Sequence, residues 1–337
     1  MKALVVGASG YSGGELLRIL SCHPKVGSIE ATSRSHAGKG VSEVHQSLRG
    51  ILDLKFTEYD GGKTDADIAF LALPHGEGME HAPALLKRGI KVIDLGADYR
   101  IKDQRLFEKY YVPHKNPELL KDAVYGLPEL FREKIRKAKL IANPGCYATA
   151  AILSLAPLEK LKDKIDLTKI VVDAKSGTSG AGAKPTEFVH HSEVDGGLKI
   201  YKAIGHRHQP EIEHILSGLM AGISVSFTPT LMPIVRGILS NAHVFGDLSG
   251  VDLPKHYSGY YRGEKFIRIV PEAYTKNVAY SNWCDISPYY DLEKKRAVIV
   301  SAIDNLVKGA AGQAVQNMNL VFGWPEDTGI SSPPYHP

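Results

Sequence analysis

The chain has few cysteines, two tryptophans and no long apolar run. Three cysteines in 337 residues are too few for a secreted scaffold stapled by disulfides. No apolar stretch reaches the ~18 residues of a membrane span, and mean hydropathy is −0.15, which argues against a membrane protein. Charge of one sign is also missing. The 41 basic and 37 acidic residues leave a net charge of +4 and are dispersed, without the block of like charges that marks a nucleic-acid tail. The opening MKALVVGASGYSGGELL has only a short apolar part before glycines and a glutamate, so it predicts a mature N-terminus in a reducing cytoplasm rather than a signal peptide. With 43% hydrophobic residues, the chain is also too apolar for a disordered polymer. Glycine, in contrast, is abundant: 33 residues, about one in ten against a usual ~7%. That predicts tight turns and close approaches of backbone to ligand.

At roughly 150 residues per domain, the length predicts two domains. Ala3–Val6, Ser28–Thr32, Ile68–Leu73 and Lys91–Leu95 read as short strands alternating with helical stretches, and Leu140–Ala142 leads into Asn143-Pro144-Gly145. This is the pattern of an α/β fold with a parallel sheet. The second half reads as α+β with a mixed sheet, its strands falling near 170–174, 222–229, 234–244, 265–270 and 297–303. A closing helix is predicted from about Ala302 or Asp304 to Phe322, because Leu306, Val307, Ala310, Ala314 and Met318 recur at helical spacing. The expected organisation is a Rossmann-type domain over 1–145, completed by about 304–337, and a catalytic and oligomerisation domain over 146–303.

Gly7-Ala8-Ser9-Gly10-Tyr11-Ser12-Gly13 lies between the first strand and the first helix. Glycines there let the backbone approach a pyrophosphate while the helix N-terminus offers N–H donors. The spacing is GxxGxxG rather than GxGxxG, so its place in the fold carries the reading. Where an NAD fold puts a carboxylate, about twenty residues on, this chain has Thr32-Ser33-Arg34-Ser35; Arg34 suits the 2′-phosphate of NADP. In Asn143-Pro144-Gly145-Cys146-Tyr147 an apolar helix is predicted to start just after Cys146. A cysteine at a helix N-terminus gains thiolate character, and the neighbouring N–H groups can stabilise an oxyanion. Cys22 and Cys284 read as small buried apolar residues. Gly205-His206-Arg207-His208-Gln209-Pro210-Glu211 places two histidines before a helix predicted to start at Gln209 or Pro210, as acid/base candidates, with Arg207 or Arg236 to hold a substrate anion. The Ser176-Gly177-Thr178-Ser179-Gly180-Ala181-Gly182 loop either lines a cofactor or is a plain connection. His190-His191 lacks further ligands at metal spacing, so no metal is expected.

A dinucleotide loop combined with a cysteine nucleophile and a histidine implies one reaction class. A thiolate attacks an acyl carbon, a leaving group departs, and the thioester takes hydride from a nicotinamide. A hydroxy-acid dehydrogenase has no need of the cysteine, nor a cysteine hydrolase of the dinucleotide loop.

The segments GASGYSGGELL, FLALPHG, DLGADYR, VYGLPEL, NPGCYATA, SGTSGAGAKPT, GHRHQPEI, FTPTLMPIVRGIL and AIDNLVKGAAGQAVQNMN resemble, nearly end to end, the N-acetyl-γ-glutamyl-phosphate reductases, relatives of aspartate-semialdehyde dehydrogenase. The resemblance implies NADP(H), a cytoplasmic enzyme of arginine biosynthesis, and a homo-oligomer, either dimer or tetramer. It implies Cys146 as nucleophile and His208 as acid/base, with His206 and Glu211 in support. Gly7, Gly10, Tyr11, Ser12 and Gly13 form the pyrophosphate loop, and Ser33 and Arg34 face the 2′-phosphate. Pro74, Ser176, Gly177, Pro185 and Asn317 fall in cofactor segments, and Asn143, Arg207 and Arg236 near a small anionic acyl phosphate. Gly96 stands where the family usually has Ser, and Ser281-Asn282 replaces the usual Gly-Thr or Gly-Ser before Asn. A sister branch reduces glutamyl or aminoadipyl phosphates joined to an acidic carrier protein in lysine or arginine synthesis. VHQSLRG, KIYKAIGHRH and the His-Pro terminus are similar to that branch, in which Lys199, Lys202 and Arg207 either meet such a carrier or are plain solvated residues. A non-catalytic NADP-binding regulator is the third reading, opposed by the intact Cys146 and His208.

Overall fold

A computed structural model describes residues 1–335, and His336 and Pro337 of the His-Pro terminus lie outside the described residues. The chain separates into two units. The first comprises Met1–Gly145 with Ala310–Ser332, and the second Cys146–Gly309 with the described residues from Pro333 on.

In the first unit β1 (Lys2–Val6), β2 (Ser28–Thr32), β3 (Ile68–Leu71), β4 (Lys91–Asp94), β5 (Val124–Tyr125) and β6 (Leu140–Ala142) form one sheet in the order β2-β1-β3-β4-β6-β5. Every pairing is parallel. A parallel sheet is covered on both faces, which is why Ala3–Val6 and Ile68–Leu71 are apolar and buried at every position. Leu4, Val6, Leu71, Leu85, Val92 and Phe107 share one core with Met79 and Tyr99. The strand order turns at β1, which β2 and β3 flank on opposite sides. Ligands of such sheets bind beyond the strands' carboxyl ends at this switch point. That is where the glycine loop lies.

The second unit holds β7 (Ile170–Gly177), β8 (Lys199–Ile200), β9 (Val225–Met232), β10 (Ile238–Phe245), β11 (Ile267–Ile269), β12 (Cys284–Asp291) and β13 (Arg296–Ile303). They form a mixed sheet in the order β11-β12-β13-β10-β7-β9-β8. The β7/β9 and β11/β12 pairs are parallel and the rest antiparallel. In β10 the residues Ile238, Ser240, Ala242 and Val244 are buried and their neighbours partly open, the alternation of a strand with one covered face. The helix Cys146–Leu155 packs on β10 and β13. It is buried almost all round, so its terminal carbonyls cannot turn to water. Tyr261 Oη donates to the Leu153 carbonyl at 2.5 Å and Tyr257 Oη to that of Ser154 at 2.8 Å.

The sequence expectations shift at several places. The closing helix does not start at Ala302 or Asp304. Ala302 and Ile303 stay in β13, paired with β10 and β12. The helical turns begin as a π segment, Val307–Ala311, followed by the α-helix Gly312–Val321. Asp304 sets that start: its Oδ1 accepts from the N–H groups of Leu306 (2.8 Å) and Val307 (3.0 Å), an aspartate cap. Cys22 is exposed at the end of the first helix rather than buried, whereas Cys284 is buried. The helix expected from Gln209 or Pro210 begins at His208. Pro210 is then inside the first turn, where a missing N–H costs nothing.

Candidate active site

Cys146 is the first residue of its helix and is half-buried. The unshared N–H groups and the dipole of a helix start favour a negative sulfur and a nearby oxyanion. The π segment passes so close that a Cβ at Gly309 would lie 2.8 Å from the Cys146 Cβ, so only glycine lets the turn approach. Asp304 frames this turn from below. Its Oδ2 accepts from the Tyr280 N–H at 2.7 Å and pairs with Arg236 Nη1 at 3.5 Å. The Arg236 guanidinium lies 4.6 Å from the centre of the Tyr280 ring.

Cys146 opens onto a cavity of about 280 Å³ that Ser176, Gly177, His206, Arg207 and His208 also line, with Tyr147 and Tyr201 as an aromatic wall. Arg236 and Pro185 are not in that lining; Pro185 borders another groove with Phe188 and Lys199. Tyr201 Oη donates to Tyr147 Oη at 3.1 Å. Burial pushes the Tyr201 hydroxyl up to about 12 and raises Tyr147 further, so both stay neutral at physiological pH. Burial, aided by the charges of Arg207 and Lys202, pushes His206 down to about 4. A neutral imidazole can accept, and its Nδ1 takes the backbone N–H of His208 at 3.2 Å. His206 is thus held neutral and tied to the start of the His208 helix. The two rings lie 5.0 Å apart. Glu211 is buried one turn after His208 in the same helix, on the same side.

In the first unit Gly7 has φ +78°, and a Cβ there would meet the Ala72 carbonyl oxygen at 2.4 Å. The helix Tyr11–Ser21 starts at Gly10 without a side-chain cap, leaving first-turn donors to a ligand. At the end of β2, Ser9 Oγ and Ser33 Oγ are 2.9 Å apart, and Ser33 Oγ lies 3.5 Å from Ser35 Oγ. Arg34 is exposed beside these hydroxyls and pairs with Glu77. Pro74 is exposed after β3, in a loop that Asp98 ties down by accepting from Gly76 N at 2.7 Å and Met79 N at 3.2 Å.

A second polar group in this unit gathers Asn143, Asn317 and Gln313. Asn317 Nδ2 donates to the Gly126 carbonyl at 2.8 Å and to Asn143 Oδ1 at 3.1 Å. Asn317 Oδ1 and both amide atoms of Gln313 are buried without a hydrogen-bond partner among the described residues. Each such atom costs about 1–3 kcal/mol if nothing meets it. A dinucleotide bearing a carboxamide offers both a donor and an acceptor, so these residues fit one.

Asp94, at the end of β4, is buried, and burial together with the charge of Asp98 pushes it up to about 7. The Asp98 carboxyl is raised as well. The native state thus keeps a proton on Asp94 between its ordinary 3.8 and about 7 that the unfolded chain has released. This stability is present at low pH and is lost as pH rises through that window. Asp94→Asn keeps the acceptor for the Gly96 N–H, now at 2.9 Å, and removes the titration. We expect wild-type melting temperature to fall between pH 5 and pH 8, and the variant to be flatter and more stable at pH 8; thermal melts across that range test it.

The chain matches the semialdehyde dehydrogenase NAD-binding domain over residues 2–138 and the semialdehyde dehydrogenase dimerisation domain over residues 146–305. It is 50% identical, over all of both chains, to an N-acetyl-gamma-glutamyl-phosphate reductase of Geobacter sp. (strain M21). A reductase of the same name from Methanocaldococcus jannaschii is 48% identical, over 98% of this chain and 97% of its own. The chain belongs to the N-acetyl-γ-glutamyl-phosphate reductase family. It is an oxidoreductase of the semialdehyde dehydrogenase type. The fold agrees with that of aspartate semialdehyde dehydrogenase II from Vibrio cholerae, with a TM-score of 0.72 at 18% identity, covering 96% of this chain and 98% of the other. No helix among the described residues is long and apolar enough to cross a membrane. Within this reductase the sequence did not single out Gln313, Gly309, Tyr147, Tyr201 or Glu77. Gln313 and Gly309 lie in the quoted KGAAGQAVQN segment, but only their packing distinguishes them from their neighbours.

Proposed function

We propose that this reductase converts N-acetyl-γ-glutamyl phosphate and NADPH to N-acetylglutamate semialdehyde, inorganic phosphate and NADP⁺. The observation that carries the reading is Cys146 at a helix start in one pocket with Arg207 and His208. Cys146 Sγ forms a bond to the γ-acyl carbon while the helix N–H groups hold the carbonyl oxygen's negative charge. The bond from that carbon to the phosphate oxygen breaks, and phosphate leaves with the electron pair, giving a thioester on Cys146. Arg207, with Arg236 as a second cation, balances substrate anions. The glycine loop with Tyr11 and Ser12, Ser33, Arg34, Pro74 and Asn317 hold NADPH on the first unit; Ser176, Gly177 and Pro185 are the cofactor candidates on the second. Bound NADPH supplies the hydride that takes the acyl group to the aldehyde level. His208 holds the proton at the substrate oxygen as the hemithioacetal forms and removes it as the C–S bond breaks and the thiolate returns. Asn143 orients the substrate side, and Glu211 supports His208. The working protein is a cytoplasmic homo-oligomer joined through its dimerisation domain.

The test is the reverse reaction, with N-acetylglutamate semialdehyde, phosphate and NADP⁺, followed by NADPH absorbance. The expected result is reduction that depends strictly on phosphate. Intact NADPH binding without turnover would move the substrate to an acyl chain carried by an acidic carrier protein.

A further inference from the structure

The sequence places no carboxylate at the end of β2, but the fold brings one there. Glu77, from the loop after β3, forms an ion pair with Arg34. Glu80, the next carboxylate, lies on the helix Gly78–Lys87 and is committed to Lys115 at 2.5 Å. Glu77 keeps a third of its side-chain surface and Arg34 three quarters of its own, at 33% and 76%, so the pair is reachable by a ligand. Glu77 makes no side-chain cap for the helix that follows it, and its carboxylate has no role in holding that helix start.

We propose that Glu77 is a specificity-determining residue that competes with the cofactor's 2′-phosphate for Arg34 and so limits this reductase's preference for NADP(H) over NAD(H). The inference rests on Arg34 as the 2′-phosphate ligand. A phosphate carries up to two negative charges and accepts a forked pair of Arg hydrogen bonds. It must displace Glu77 from Arg34, and a carboxylate left beside it repels it. A cofactor without that phosphate meets neither cost. An exposed pair is worth up to about 1 kcal/mol. Removing it and the repulsion therefore tightens a 2′-phosphorylated ligand about three- to tenfold, more at low ionic strength than high.

The experiment measures dissociation constants of 2′,5′-ADP, 5′-AMP, NADPH and NADH, by calorimetry or nucleotide fluorescence, for wild type, Glu77→Gln, Arg34→Ala and the double variant. The expected result is tighter 2′,5′-ADP and NADPH in Glu77→Gln, unchanged 5′-AMP and NADH, and no gain from Glu77→Gln when Arg34 is already Ala. Unchanged 5′-AMP binding also reports an intact fold. If Arg34→Ala weakens 2′,5′-ADP while Glu77→Gln leaves it unchanged or weaker, the proposal is overturned and the cofactor reading stands. If Arg34→Ala leaves 2′,5′-ADP binding unchanged, the assignment of Arg34 itself fails and the proposal falls with it.

Discussion

Cys146→Ser is expected to retain NADPH affinity and to lose turnover by ~10⁴-fold or more, the scale seen when a covalent nucleophile is removed. A serine hydroxyl at that position is protonated at neutral pH, and its oxygen is the poorer nucleophile. The substitution keeps the Cβ that faces Gly309, so the packing at the helix start is undisturbed. The loss then reflects chemistry. Two measurements separate these causes: NADPH fluorescence titration, and the phosphate-dependent reverse assay. Cys22→Ser is the control, since Cys22 is exposed on the first unit, and it keeps full turnover. Wild-type rates in Cys146→Ser would remove thioester chemistry from the mechanism and with it the reason for the helix-start geometry.

The centre of the parallel sheet was legible because Ala3–Val6 and Ile68–Leu71 are apolar without alternation, the pattern of strands covered on both faces. The short edges were not. β5 has two residues and β8 two, Lys199 and Ile200, both exposed. Pairing alone makes them strands, and pairing is not local. The start of the last helix was misplaced for a similar reason. Ala302 and Ile303 fit helical spacing as well as they fit a strand, and the ladder to β10 and β12 decides between them. At the site, Cys146, His206 and His208 were readable because reactive side chains beside Gly and Pro stand out. Spacing alone treats the two histidines alike, and the resemblance separates them; the burial that holds His206 neutral is visible only in the fold. Gln313 was invisible for the opposite reason. A glutamine in a helix is ordinary until its amide is found buried with no partner among the described residues.

The two histidines give the second large effect, and their variants differ in kind. His208→Asn lowers turnover by roughly 10²–10⁴-fold, the usual contribution of a positioned acid/base, and leaves NADPH affinity alone. It also removes the limb of the pH–rate profile that belongs to this imidazole, because no titrating group replaces it. His206→Asn behaves otherwise. The His206 ring is held down to about 4 by its burial and by Arg207 and Lys202, so it carries no proton to exchange near neutrality. Its Nδ1 accepts the His208 backbone N–H at 3.2 Å, a task an asparagine oxygen can partly take over. A fall of about tenfold or less is expected, the cost of roughly one neutral hydrogen bond, with every limb of the profile in place. Rate against pH for the two variants distinguishes the roles. If the limb vanishes with His206 and survives the loss of His208, the proton is carried by the buried ring. The assignment would then reverse, and His206 would have to be shielded from Arg207 and Lys202 in the loaded enzyme for its imidazole to titrate.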